Sequence, residues 1–311
     1  QYTFFEDFML TGALLILAPL FLGFALALEN RHLMTAIHYG VEGLVYFILA
    51  LLGLSLGQME GVGGQLANMA SQVAVLVVVL FVANMAGLWL FHRWQPMAAR
   101  EDHVDQPRGY RRLFLAGLKP LLAVVVGGLA GFYWLPDMPM AEDVATWSLM
   151  LLLFLIGLQL RNAGLSLRRL LLNRQGLGIA LALAGSSLLA GFAMVPLLDA
   201  AWHESLALAS GFGWYSLSGI VIGDALGPSW GGVAFLNDVI REIIALAIIP
   251  LLIGQRPAMA IGYGGATAMD FTLPVIRSSG GLDCVPVAIA SGFILSFLSP
   301  ILMAVFLSMG G

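Results

Sequence analysis

The chain has 311 residues, of which 60% are hydrophobic and only 10% are charged. Its mean hydropathy is +0.93 and its formal net charge is −4. Ordinary soluble domains carry roughly 25% charged residues, and a soluble surface needs such charge. The composition therefore excludes a soluble enzyme, a disordered chain and a nucleic-acid-binding protein. It predicts an all-α membrane protein that crosses the bilayer several times.

Long apolar segments follow one another along the chain. A helix needs about 20 apolar residues to span a bilayer, and these runs are too uniformly apolar for the alternating strands of a barrel. We predict about eight to ten transmembrane helices, some of them broken or re-entrant, in a single transporter domain over 1–311. The ten candidate segments are 8–28, 38–57, 70–92, 113–135, 146–161, 176–198, 204–226, 232–253, 258–277 and 285–308.

Basic residues mark one side of the membrane. The loops after the first, third and fifth segments carry them, whereas the fourth loop has Asp137, Glu142 and Asp143 and no base. Because Lys and Arg concentrate in cytoplasmic loops, we expect these three loops in the cytoplasm and both termini outside. Two re-entrant hairpins in place of two crossings leave this arrangement unchanged. The basic residues are Arg31, Arg93, Arg100, Arg108, Arg111, Arg112, Lys119, Arg161, Arg168, Arg169 and Arg174.

The first six segments contain a weak internal repeat. Residues 47–57 resemble residues 151–161, and each stretch lies in the second segment of a group of three. The copies are 104 residues apart, and a repeat of three spans inverts the second copy relative to the first. Inverted repeats are typical of secondary transporters. Leucine-rich helices also match one another by chance, so both interpretations stay open.

The last third of the chain, 200–311, is rich in glycine and proline. Two runs, 210–219 and 262–274, cannot form smooth helices, because glycine and proline interrupt them. Non-helical backbone at membrane depth is tolerated where it lines a cavity or is buried in protein, and paired broken helices mark the binding sites of transporters. Close helix packing through small residues is the structural alternative. We predict the substrate site in 200–311 and a scaffold in 1–199.

Charges inside the apolar segments are the main functional signal, since each costs on the order of 3 kcal/mol in the bilayer. Glu242 and Asp270 lie beside the broken runs, so we expect them to bind a cation, protons or both. Asp238 lies four residues before Glu242 on the same helical face, and Arg241 lies three residues after Asp238, where it can pair with it. This pairing leaves Glu242 uncompensated and the cluster with an excess of carboxylates.

Other interpretations of these charges stay open. Asp238 and Arg241 form either a structural ion pair or part of the site. Asp224 either marks a membrane boundary or contributes to the site. Glu42 begins the second segment, where it is either a gate or an interface charge.

Uncharged polar residues near the breaks complete the predicted site. They can hydrogen-bond an amino or carboxylate group, and a broken helix also offers free backbone N–H groups to an anion. A zwitterion with an additional ammonium group finds a partner here for each of its charges. The residues are Tyr215, Ser216, Ser218, Asn237, Thr267 and Thr272.

Several long motifs resemble the signature of the LysO (YbjE) lysine exporter family. They are 209–220 (ASGFGWYSLSGI), 235–243 (FLNDVIREI), 265–275 (GATAMDFTLPV), 280–283 (GGLD) and 153–162 (LFLIGLQLRN). The resemblance is strong from about residue 146 onward and loose before it.

This resemblance implies a carrier in the bacterial inner membrane that exports L-lysine and its toxic analogue thialysine with the energy of the proton gradient. The family's intramembrane acidic pair falls on Glu242 and Asp270. Asp224 departs from the family pattern, which has a Glu there. A distant analogy to proton antiporters further suggests two broken helices that cross each other.

Two alternatives to lysine export remain at this stage. The same excess of carboxylates suits another cationic amino acid, arginine or ornithine. An intramembrane aspartyl protease needs the motif Gly-x-Gly-Asp, but Val221 stands in place of the first glycine before Asp224. We expect no enzyme activity, no cofactor, no metal and no nucleic acid. The expected partners are lysine, protons and lipid, with a homodimer as one option for the oligomeric state.

Overall fold

The structure is a computed structural model that describes residues 18–26, 31–58, 62–97, 119–133, 141–162 and 173–310. Within these ranges the chain forms helices and no strands. A helical stretch over 18–25 comes first. The helices that follow are α1 (Arg31–Gln58), α2 (Val62–Trp94), α3 (Lys119–Tyr133), α4 (Ala141–Asn162), α5 (Arg174–Leu198), α6 (Trp202–Ala209), α7 (Tyr215–Leu226), α8 (Pro228–Leu252), α9 (Pro257–Gly264), a 3₁₀ turn (Gly265–Met269), α10 (Leu273–Gly280) and α11 (Cys284–Ser308).

Four described helices are long and apolar enough to cross a bilayer, which confirms the predicted multi-pass membrane protein. They are Leu33–Gln58, Ala67–Trp94, Arg174–Leu198 and Cys284–Ser308. α8 has 25 residues, the same length as α5 and α11, and it carries the intramembrane charges. A helix of this length rises about 37 Å, which exceeds a hydrocarbon core of about 30 Å. The beginnings of the predicted segments 8–28 and 113–135 lie outside the described residues.

The arginines at helix ends gather at one end of the bundle, which we call the basic end. α2 ends and α5 begins there, since Gly178 of α5 packs against the Phe91 ring of α2. α11 begins there too, because Asn173 donates a hydrogen bond to the Pro286 carbonyl at 3.4 Å. The arginines at helix termini on this end are Arg31, Arg93, Arg161, Arg174, Arg256 and Arg277.

The segment Pro257–Gly280, from α9 to α10, is a re-entrant hairpin, which we call the second hairpin. α9 starts at the basic end and packs Gly262 against Leu88 of α2. α10 returns to the same end, where Gly280 touches the side chain of Ile253, just before α9 begins. Residues 265–272, which include the 3₁₀ turn, form its tip.

α6 and α7 form the first hairpin, Trp202–Leu226, which enters from the opposite end. His203 of α6 packs against Gly310, just after α11 has run the full length of the bundle from the basic end. α8 packs antiparallel on α7, with Gly231 in close contact with Gly223. Because α8 ends at the basic end, α7 ends at the opposite end, where α6 began. Residues 210–214 form the tip of this hairpin.

The two tips meet in the middle of the bundle. The N–H of Ala266 donates to the Phe212 carbonyl at 3.0 Å, and Ser299 of α11 donates to the Ser210 carbonyl at 2.8 Å. Both runs predicted to be broken are therefore interrupted, but each segment leaves through the end that it entered. The structure thus has re-entrant hairpins in place of the crossed broken helices that the antiporter analogy suggests.

Glycine contacts between the first helices repeat with the offset of 104 residues that separates the two sequence copies. In each contact a Cβ on the glycine would collide with the backbone of the neighbouring helix, and such close approach is typical of helix packing in lipid. The first span of each copy packs against the second span of the other, as an inverted repeat requires. The contacts are Gly53 with Val124, Gly157 with Leu20, Gly127 with Ala50 and Gly23 with Phe154.

Candidate functional site

A cavity of about 820 Å³ separates α1, α3 and α4 from the two hairpins. This volume lies within the range of small-molecule sites. We call the side made by α1, α3 and α4 the scaffold wall, and the side made by both tips, α8 and α11 the hairpin wall. The cavity extends from Met34 and Asn162, close to the basic end, to Ser216 and Glu242 in the middle of the bundle.

Glu242 lies midway along α8 and lines this cavity. Its side chain is only 4% exposed, and its Oε1 is buried without a hydrogen-bond partner. An ionised carboxylate in such surroundings is costly unless a counter-charge or hydrogen bonds offset the loss of water. Glu242 is therefore placed to take up a proton or a cation that enters the cavity.

Asp270 follows the 3₁₀ turn in the tip of the second hairpin, and its side chain is exposed in the cavity. The N–H of Phe271 donates to its Oδ1 at 2.5 Å. The structure thus brings together on one wall the two carboxylates, Glu242 and Asp270, that the sequence singles out. Among the described residues through which the hairpin wall lines the cavity, none is basic.

Asp238 is directed into the tip of the first hairpin and is 1% exposed. Ser218 donates a hydrogen bond to its Oδ2 at 2.6 Å. The Gly213 N–H and the Asn237 amide donate to its Oδ1 at 3.2 and 3.1 Å. These three donors satisfy the carboxylate away from the cavity, so the group joins α8 to the first tip.

Arg241 supports the second hairpin instead. Its Nε and Nη2 donate to the Tyr263 carbonyl at 3.3 and 3.1 Å, and its guanidinium carbon lies 5.1 Å from the centre of the Tyr263 ring. This carbonyl is free to accept because α9 ends at the next residue. Asp238 and Arg241 thus hydrogen-bond to different hairpins, and no hydrogen bond joins their side chains, although the two charges are close enough to attract each other.

The contact between the tips depends on unusual backbone conformations. Phe212 has φ of 51°, in the left-handed region that side chains other than glycine enter at a cost of about 1–3 kcal/mol. Its carbonyl accepts the Ala266 N–H. Across the contact, Gly265 has φ of 64°, and a Cβ there would collide with the Phe212 oxygen. The tips are therefore held in one arrangement that tolerates little change.

The polar residues predicted near the breaks divide between the cavity and the tips. Tyr215, Ser216 and Thr267 line the cavity. Thr272 is fully buried, and its Oγ1 donates to the Thr267 carbonyl at 3.0 Å. This hydrogen bond stabilises the tip of the second hairpin, as the hydrogen bonds to Asp238 stabilise the tip of the first.

Two predicted charged residues are not found in this group. Asp224 is exposed near the end of α7, which lies at the end of the bundle opposite the cavity. Glu42 lies in α1, and its side chain is outside the described part of the chain. Its neighbours Val41 and Val45 line the scaffold wall.

Polar residues of the scaffold wall are absent from the predicted set. They include Lys119, Gln159 and Asn162. The Asn162 amide donates to the carbonyls of Leu158 and Leu26 at 2.7 and 3.2 Å. Lys119 lies inside the predicted segment 113–135. It follows the arginines of the basic loop, is grouped with them, and is therefore missing from the predicted site. Within the described ranges, no group of three or more His, Cys, Asp or Glu residues could hold a metal ion.

The sequence profile of the family described as Lysine exporter LysO matches residues 121–307. The chain is 41% identical over 300 residues to Lysine exporter LysO of Escherichia coli strain K12, an alignment that covers 96% of this chain and 99% of that protein. It is 41% identical over 188 residues to a candidate lysine exporter of Haemophilus influenzae, which covers 60% of this chain and 96% of that protein. No solved structure matches the chain. The chain therefore belongs to the lysine exporter LysO family.

Proposed function

We propose that this chain exports L-lysine from the cytoplasm and takes up protons in exchange. The observation that carries the proposal is the presence of Glu242 and Asp270 on one cavity wall, with an oxygen of Glu242 left without a partner. An ammonium group or a proton can each neutralise such carboxylates. The name of the Escherichia coli relative supports lysine as the cation.

Lysine and protons compete for the same carboxylates, and this competition couples lysine export to proton uptake. Lysine binds when the carboxylates are ionised, and protons replace it for the return. A carrier that changes its exposed side only with neutralised carboxylates exchanges one cation for the other. Thialysine keeps both charged ends of lysine, so we expect it to be exported as well.

The position of the basic end supports export from the cytoplasm as the direction of transport. By the excess of Lys and Arg in cytoplasmic loops, we assign the basic end to the cytoplasm of a bacterial inner membrane and both termini to the outside. The cavity lies in the half of the bundle next to that end, between Met34 and Glu242. This structure then corresponds to the state that loads lysine from the cytoplasm.

The membrane potential limits how export is driven. Lysine is a monocation at cytoplasmic pH, and moving one elementary charge against the potential costs about 2.3 kcal/mol per 100 mV. Exchange of one proton for one lysine is electroneutral and uses only the pH gradient, whereas two protons for one lysine also use the potential. Two carboxylates accommodate either ratio.

Efflux from liposomes that contain the purified protein and labelled lysine tests the proposal. An acidic exterior should drive labelled lysine outward, and dissipation of the pH gradient should slow it. We expect Glu242→Gln and Asp270→Asn each to lower the efflux rate about tenfold or more, because each removes a charge inside the membrane. The control is Asp283→Asn at the exposed start of α11, which should transport normally.

Normal transport by both site variants would refute the proposed mechanism, and efflux that ignores the pH gradient would refute proton exchange. Unlabelled arginine and ornithine added inside the same liposomes measure the substrate range. If either slows lysine efflux as strongly as lysine itself does, the carrier is one for cationic amino acids in general.

A further inference from the structure

Lys119 lies at membrane depth rather than in the basic loop. α3 runs parallel to α1, since Gly53 packs on Val124 and Gly57 on Gly128, and likewise Gly127 on Ala50 and Gly131 on Leu54. This register places Lys119 beside Val45, which also lines the cavity. Val45 lies near the centre of the membrane-spanning segment Leu33–Gln58. A lysine at this depth is costly unless it has a function or a partner.

Within the described part of the chain, nothing pairs with the charge of Lys119. Its side chain is exposed in the cavity, and no hydrogen bond or ion pair joins it to the described part of the chain. It is the only basic residue among the described cavity residues. Glu242 and Asp270 belong to the hairpin wall, so the basic residue and the two carboxylates that line the cavity come from different walls.

We propose that Lys119 binds the α-carboxylate of the transported amino acid. This inference rests on the proposed function and adds the group that recognises the acid end of the substrate. Free lysine carries a carboxylate and an ammonium on its α-carbon, and four methylene groups join that carbon to the side-chain ammonium. With its carboxylate on Lys119 and its side-chain ammonium at Glu242 and Asp270, the substrate spans the cavity from the scaffold wall to the hairpin wall.

This arrangement separates amino acids from diamines of the same length. Cadaverine is lysine without its carboxylate, so it offers the hairpin wall the same ammonium but leaves Lys119 unpaired. Without that carboxylate, nothing offsets the repulsion between the Lys119 ammonium and the second ammonium of cadaverine. Lys119 thus acts as a specificity-determining residue in addition to the carboxylate pair.

Binding of lysine and of cadaverine to the purified protein, measured by calorimetry, tests this role. We expect the wild type to bind lysine about tenfold or more tightly than cadaverine, as for a hydrogen bond between charged groups. Lys119→Ala should remove that difference by weakening lysine binding, with cadaverine binding unchanged or tighter. Lys119→Arg should retain part of the preference, and Arg174→Ala, at the basic end outside the cavity, should retain all of it.

The two ligands distinguish the ways in which the inference can fail. Equal weakening of lysine and cadaverine by Lys119→Ala would show a structural role, and unchanged lysine binding would show no role; either result overturns the inference. Both leave lysine export intact as a proposal. Failure of the wild type itself to bind or export lysine would instead refute the proposed function.

Discussion

The helices before Leu198 and the hairpins after it use glycine and polar residues in different ways. In the first region, Gly53 and Gly157 bring continuous helices into backbone contact. In the second, glycine interrupts the helices, and Asp238, Arg241 and Glu242 are buried between them. Close packing through glycine thus occurs in both regions, and the second adds hydrogen bonds to backbone groups that the interruptions set free.

The two regions nevertheless share an inverted arrangement. In the first, the glycine contacts pair the first span of each predicted copy with the second span of the other, as an inverted repeat requires. In the second, a hairpin that enters from the opposite end precedes α8, and a hairpin that enters from the basic end precedes α11. An inverted arrangement alone therefore does not form a binding site. The two candidate carboxylates, Glu242 and Asp270, line the cavity where the inverted hairpins meet through interrupted backbone.

The largest effect is expected at the contact between the tips. Gly265→Ala adds a Cβ at a positive φ and against the Phe212 oxygen, so we expect a loss of about 2–4 kcal/mol of stability and very little lysine efflux. Gly185→Ala in α5 is the control, because nothing lies within 4 Å of its Cβ. Thermal unfolding in detergent and the liposome assay measure both variants. Wild-type behaviour of Gly265→Ala would show that the tips rearrange freely.

A smaller effect is expected in the first region, where it tests the repeat. Gly53→Val and Gly157→Val each force apart a pair of helices that touch through their backbones. We expect each to lower stability by about 2 kcal/mol, and by the same amount as the other, because the two contacts are counterparts. Gly43→Val serves as the control in α1, where nothing is near the added Cβ. Thermal unfolding measures the stability of each variant, and clearly unequal losses of stability would contradict the symmetry of the two contacts.

The smallest changes in stability are expected at two buried carboxylates of α8, and we expect them to differ between the two. Asp238→Asn weakens an acceptor of three hydrogen bonds, so we expect a loss of about 1–2 kcal/mol. Glu242→Gln changes a group whose Oε1 has no partner, so its thermal unfolding should stay at or above that of the wild type while transport is lost. If Glu242→Gln is the less stable of the two, the site is not separate from the framework.

Much of the fold follows from the sequence because it depends on local properties. The apolar segments give the spans, and the glycines and prolines of 210–219 and 262–274 give the interruptions. Their composition does not determine the direction of the chain after each interruption. That direction depends on contacts distant in sequence, such as Gly280 with Ile253 and His203 with Gly310.

The candidate site is predicted only where a charge stands out within an apolar segment. Glu242 and Asp270 are found because charges in apolar segments are rare. Helical spacing places Arg241 near Asp238 but does not show that the end of α9 offers a competing carbonyl. Lys119 is missed because it follows a run of arginines, and only the register of α3 on α1 shows its depth.

The cavity also determines where the electric field of the membrane is concentrated. If water fills the cavity from the basic end, it carries the electrical potential of that side as far as Ser216 and Glu242, which line the cavity. The voltage then falls across the thinner layer that remains, which consists of the two tips and the first hairpin. A cation can therefore reach the carboxylates after crossing little of the field. The electrical work is concentrated in the later step that exposes the site to the opposite side, and that step is the one we expect to respond to voltage.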